Sequence, residues 1–127
     1  MTQFGVILVE SRPVEAILAS TALSHRRELL VLRAETLPLA TRMLKDVPVA
    51  LGILGKEALE AADGQKLQAF ARKRVPLVGL GIHLAEALRA HALAVGVQEV
   101  HERPREWRAY RSLVSELVDA AINRRTD

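Results

Sequence analysis

Five short apolar runs punctuate the chain at fairly even spacing: Phe4–Val9, Glu28–Leu32, Val47–Leu54, Val75–Leu80 and Val97–His101. Each is of strand length and rich in Val, Leu or Ile. The third and fourth lack polar alternation, which predicts central strands of a parallel sheet, buried on both faces. Between the runs the periodicity turns helical. Val14, Ile17, Leu18 and Thr21–Ala22 form one stripe behind Pro13, a residue suited to a first helical turn. Thr36 is placed to cap a second helix, with Leu37, Ala40, Met43 and Leu44 facing inward. Leu67, Phe70 and Ala71 mark a third helix after Asp63-Gly64. Leu84, Leu88, Ala92 and Val95 mark a fourth, closed by Gly96 just past its end. Trp107, Tyr110, Val114, Leu117 and Ala121 mark a fifth.

Strand–helix alternation predicts an α/β fold with a parallel sheet and right-handed crossovers. Five βα units in 127 residues fit a single open, doubly wound (βα)5 domain over 1–127. A closed barrel needs about twice that length. Composition narrows the chemistry. Half of the residues are hydrophobic and only 3% are aromatic, so the core is built from Leu, Ala and Val, and base stacking has little to use. The chain has no cysteine, which removes disulfides, thiolate metal sites and cysteine nucleophiles. It shows neither a bilayer-length apolar run nor a basic-then-apolar leader, so the expectation is a soluble cytoplasmic protein without membrane contact. The net charge of +3 is spread among mixed charges, which favours a solvated surface over a nucleic-acid footprint.

In open α/β sheets ligands sit beyond the carboxyl ends of the strands. Those ends are Glu10-Ser11, Gly52 to Gly55, Gly79 to Ile82, and Glu102-Arg103. "GLGIHL" (79–84) starts like a dinucleotide fingerprint, but Leu84 stands where the third glycine belongs. "GILGKEAL" (52–59) lacks the spacing and the Ser or Thr of a phosphate loop. His25, His83, His91 and His101 show no ligand spacing with carboxylates, and Ser11 has no nucleophile-elbow context. No reaction, metal site or cofactor is assembled.

"GVQEVHERP" (96–104) resembles the run that closes the receiver domains of bacterial two-component response regulators, which typically reads Gly-Ala-x-x-Tyr-x-x-Lys-Pro. Gly96, Val97, Val100, Arg103 and Pro104 fall in register. "ADGQKLQAFARKRVPLVGL" (62–80) is similar to the family's Asp-Gly helix and following strand, and "VILVESRP" (6–13) to its first strand with the acidic pair. The resemblance covers nearly the whole chain. It implies a pocket in which a lysine, aimed by a cis peptide before proline, contacts a phosphoryl group. It therefore implies a cis Arg103–Pro104 bond.

The departures from that pattern bear on function. By alignment the phospho-accepting Asp falls at Gly52, which has no side chain. The acidic pair that holds Mg²⁺ matches Glu10 and Ser11, leaving one carboxylate where a hard cation wants several oxygens. The family's Ser/Thr matches Gly81, its switch aromatic Val100, and its lysine Arg103. The expectation is a pseudo-receiver, not an enzyme, with the vestigial pocket at Glu10, Ser11, Gly52, Gly81, Arg103 and Pro104. Three functions compete. The first is an interaction module, such as the N-terminal regulatory domain of a bacterial transcription regulator, with a fused or separate output protein. The second is a small-ligand or anion sensor at the strand ends. The third is a receiver with an atypical acceptor such as Ser11. The resemblance implies dimerisation through the fourth helix, fifth strand and fifth helix. On that face stand Ala90, Leu93 and Ala94, rimmed by Arg108, Arg111, Glu116 and Asp119.

Overall fold

The apolar runs pair as one parallel sheet in the computed structural model, which describes residues 3–126. The strands are β1 (Phe4–Val9), β2 (Leu29–Ala34), β3 (Val49–Leu54), β4 (Leu77–Gly81) and β5 (Glu99–Glu102), in the order β2-β1-β3-β4-β5. Every residue of β3 and of β4 is buried, as strands covered on both faces require. The helices are α1 (Pro13–Ser24), α2 (Leu37–Met43), α3 (Lys56–Ala61), α4 (Gln68–Arg72), α5 (Glu86–Ala94) and α6 (Trp107–Thr126). α1 and α6 cover one face through Ala16, Ala19, Leu23, Tyr110, Val114 and Val118. The four others cover the opposite face, where Phe70 and Leu59 are fully buried.

The local signals explain most boundaries. Pro13 opens α1, and the Thr36 hydroxyl accepts the Leu39 N–H at the start of α2. Gly96 ends α5 with φ +116°, a left-handed conformation that a side chain resists. Two expectations need correction. The segment between β3 and β4 holds two short helices, α3 and α4, and Ala71 is exposed. Residues 63–67 are instead a turn, in which Asp63 Oδ1 accepts the Lys66 N–H at 2.7 Å. The stripe on α1 is also rotated. Val14 and Ile17 are 67% and 64% exposed, and Ala16, Ala19, Ala22 and Leu23 face the sheet. α1 is apolar over nearly all its length, so periodicity gives its buried face no unique direction. Packing selects the alanines, whose small side chains let the helix lie close on β1.

Gly52 lies in mid-strand. It pairs with Ile7, and its N–H donates to the Pro76 carbonyl at 2.9 Å. A Cβ there would stand 2.6 Å from Leu77 Cδ2 and 3.7 Å from Phe70 Cε1. Gly52 is therefore a packing position that makes room for Leu77, with the Phe70 ring beside it. Truncating Phe70 should be costly because its ring is fully buried in this layer. Phe70→Ala is expected to destabilise the protein by about 3–5 kcal/mol in urea unfolding. A loss below about 1 kcal/mol would show that the α4 side of the core is not tightly packed.

Candidate functional site

Strand register fixes which residues face one another at the carboxyl edge of the sheet. Val9 pairs with Leu54, and the Gly55 N–H donates to the Val9 carbonyl at 2.9 Å. The position facing Glu10 across the strands is thus Gly55, three residues beyond Gly52. Gly52 itself lies inside the strand, away from that edge. The last buried residue of β1 precedes Glu10, so the equivalent place on β3 follows Leu54. Counting from strand ends, rather than from the glycine, identifies it.

Gly55 and Glu10 occupy one space. A Cβ on Gly55 would lie 2.6 Å from Glu10 Cδ and 2.9 Å from its Oε2, both impossible approaches. The Glu10 carboxylate therefore stands where a side chain at position 55 would stand. Glu10 is 5% exposed, the one polar or charged residue buried among the described residues. Its Oε2 accepts the Arg12 N–H at 3.0 Å. Burial pushes its pKa above the ordinary value. The nearby Glu15 and Glu57 carboxylates push the same way, and the Arg12 N–H and guanidinium oppose them.

Around this carboxylate the other expected residues are committed elsewhere. Ser11 Oγ donates to Glu57 Oε2, and Arg12 Nε lies 3.5 Å from Glu57 Oε1. The Ser11 hydrogen bond holds the Glu57 pKa below the usual range, with Arg12 assisting. Gly81 ends β4, and a Cβ there would meet Leu84 Cδ2 at 3.1 Å and the Lys56 nitrogen at 3.4 Å. Arg103 lies 2.9 Å, through Nε, from Glu15 Oε2 on α1. The N–H is not aimed at the oxygen, so this is a charge contact without a hydrogen bond. All described peptide bonds are trans, Arg103–Pro104 included. The expected cis bond is corrected accordingly. No acidic side chain at position 55 draws the cation across the sheet, and the ordinary preference for trans of about 0.5–1 kcal/mol prevails.

Sequence reading missed Glu15, Glu57 and Glu102. Glu102 accepts the His83 N–H at 2.6 Å and the Leu84 N–H at 3.1 Å, which lowers its pKa. This clamp holds His83 at φ 55°, a backbone shape unfavourable for a residue with a side chain. The single acid three residues after Leu54, or one before Arg103, carries no pattern that distinguishes it from a surface charge. Among the described residues no group of three His, Asp or Glu side chains is arranged to hold a metal ion.

The interface residues separate. Ala90, Leu93 and Ala94 are exposed on α5, Leu93 at 51%. Arg108 and Arg111 line a groove against α1 with Ala22, His25 and Arg26. Asp119 pairs with Arg26 at 2.8 Å. These three thus lie on the α1 side of α6, and α5 covers the opposite face of the sheet. Glu116 is exposed.

The raised pKa of Glu10 has a definite sign. Its charged form is penalised in the folded state, so its contribution is most favourable below about 4.5. Stability is then lost as pH rises through the folded pKa. Glu10→Gln keeps an oxygen for the Arg12 N–H and removes the buried charge. The variant should match wild type at acidic pH and exceed it in urea stability at neutral pH. A variant less stable at neutral pH would show that the charge is stabilising in place.

No protein-family model and no curated protein matches the sequence. Solved structures do. A response regulator from Hahella chejuensis superposes with a TM-score of 0.76 and 15% identity, over 94% of this chain and 95% of that one. The signal receiver domain of a putative LuxO repressor protein from Vibrio parahaemolyticus gives 0.73 and 18%, over 98% and 96%. An orphan response regulator of H. pylori gives 0.70 and 15%, over 93% and 95%. With five parallel strands in the order β2-β1-β3-β4-β5 and helices on both faces, the chain has the receiver fold of two-component response regulators.

Proposed function

We propose that this chain is a receiver-like regulatory module of a signalling system that takes up no phosphoryl group and acts through protein contacts. The observation that carries this reading is the shared space of Gly55 and Glu10. Phosphoryl transfer to a receiver needs a carboxylate acceptor and a cation-binding acid pair beside it. Here position 55 offers no side chain, and the buried Glu10 stands in its place. Gly81 offers no hydroxyl, and Arg103 is engaged by Glu15. The same contacts disfavour an anion sensor at this pocket, because an incoming anion would meet Glu10 first. Ser11 as an alternative acceptor is opposed by its bond to Glu57, which a phosphate would repel. A place in a transcription regulator is supported only by likeness to proteins such as the LuxO repressor's receiver domain. No helix among the described residues is long and apolar enough to cross a membrane.

The contact surface we favour is a homodimer face around the β5 edge, centred on Leu93 with Ala90 and Ala94 on α5. These small neighbours let a second backbone approach closely. Arg108, Arg111 and Asp119 are left out because they turn towards α1.

Incubation with acetyl phosphate and Mg²⁺ should leave the intact mass unchanged. A stable phosphoryl adduct on any residue of the pocket would overturn the non-phosphorylatable reading. For the contact surface, sedimentation should show a dimer that Leu93→Glu shifts to monomer with the circular dichroism spectrum unaltered. A monomeric wild type, or a dimeric variant, would exclude this face.

A further inference from the structure

α2 and α4 leave an open groove between them, on the sheet face away from α1 and α6. It is lined by Pro38, Thr41 and Arg42 from α2 and by Gln68, Ala69 and Arg72 from α4. Gln65 and Lys66 of the preceding turn complete the lining. The charge of this lining is one-sided. It contains three cations and no carboxylate. The ion pairs among the described residues involve Arg12, Arg26, His101 and Arg103, and none engages Arg42, Lys66 or Arg72. Asp63, the acid nearest in sequence, is occupied with the Lys66 N–H. Lys66 Nζ reaches the Ala61 carbonyl at 3.1 Å, which keeps the ammonium beside the groove without neutralising it. The α1–α6 groove is also basic, but its Arg26 is shared between Glu28 and Asp119.

The rest of the lining indicates what the cations would hold. Thr41 and Ala69 are small and half-buried, so the floor admits a backbone at close range. Gln65 and Gln68 each present an amide donor and acceptor, the complement of a peptide group. Pro38 and Ala69 offer apolar contact to short side chains. No aromatic side chain lines the groove, which deprives a single-stranded nucleic acid of its stacking platform. Cations stand on both walls, Arg42 on α2 and Arg72 on α4, so an extended strand carrying acids on alternate sides meets one charge on each. We propose that the α2–α4 groove docks an extended acidic peptide segment of a partner protein, with Arg42 and Arg72 clamping its carboxylates. This surface is separate from the α5–β5 edge and does not depend on the dimer reading.

The test uses fluorescence anisotropy at low salt with a short fluorescein-labelled peptide of alternating Glu and Ala. Its controls are a Lys and Ala peptide of equal length and a single-stranded DNA oligonucleotide of equal charge. The acidic peptide should bind, weaken with salt and shift amide resonances of residues 39–42 and 65–72 in the ¹⁵N-labelled protein. Arg42→Glu/Arg72→Glu should weaken it about tenfold or more. Arg108→Glu/Arg111→Glu, on the other basic groove, should leave it unchanged. If the charge-reversed protein loses its circular dichroism spectrum, Arg42→Gln/Arg72→Gln gives the same comparison. The proposal is overturned if the acidic peptide does not bind, or if its binding ignores Arg42 and Arg72. It is equally overturned if the oligonucleotide binds this groove more tightly than the peptide.

Discussion

β3 runs through the middle of the sheet with all six of its residues buried, and that placement governs the rest of the molecule. A parallel strand in this position needs neighbours on both edges and cover on both faces, because its backbone and its side chains are equally shut off from water. The edges come from β1 and β4. The cover comes from α1 and α6 on one side and the four shorter helices on the other. Phe70 and Leu77 close over Gly52, the one place on the strand where a side chain is missing.

Because the strands are parallel and nearly in register, their carboxyl ends open on one edge. Charged residues that cannot enter the sheet collect there. Glu10, Glu15, Glu57, Glu102, Arg12 and Arg103 all stand within that rim, each paired by charge with another or bonded to nearby backbone amides. The pairing is local. Glu57 takes Ser11 and Arg12, Glu15 takes Arg103, and Glu102 takes the turn after β4. The rim is consequently closed by contacts between its own residues.

The pattern of apolar runs sufficed for the sheet because burial on two faces leaves a continuous signal, as in Val75–Leu80 against the observed β4. Caps at Pro13, Thr36 and Gly96 were legible because each has a local physical cause. The orientation of α1 was not legible, since Val14 and Ile17 are as apolar as the residues that displace them from the sheet. α3 was hidden for a related reason. Six residues with two buried positions, Ala58 and Leu59, hold too little periodicity to register. At the site, Glu10, Ser11, Gly81 and Arg103 were found from their places after strands. Gly55 was missed because two glycines three apart on an apolar run look alike until strand pairing distinguishes them. Glu15 was missed because its partner, Arg103, lies 88 positions further along the chain.

The overlap between Glu10 and position 55 makes the two residues interdependent in a directional way. With a glycine at 55, the long Glu10 side chain has room to fold inward. Once it has done so, a side chain introduced at 55 meets the carboxylate end of Glu10, which must swing aside to admit it. Shortening Glu10 alone would empty the space without supplying an acceptor. The geometry therefore couples the two positions: a side chain at 55 fits only where Glu10 swings out, and an inward Glu10 fits only beside a glycine.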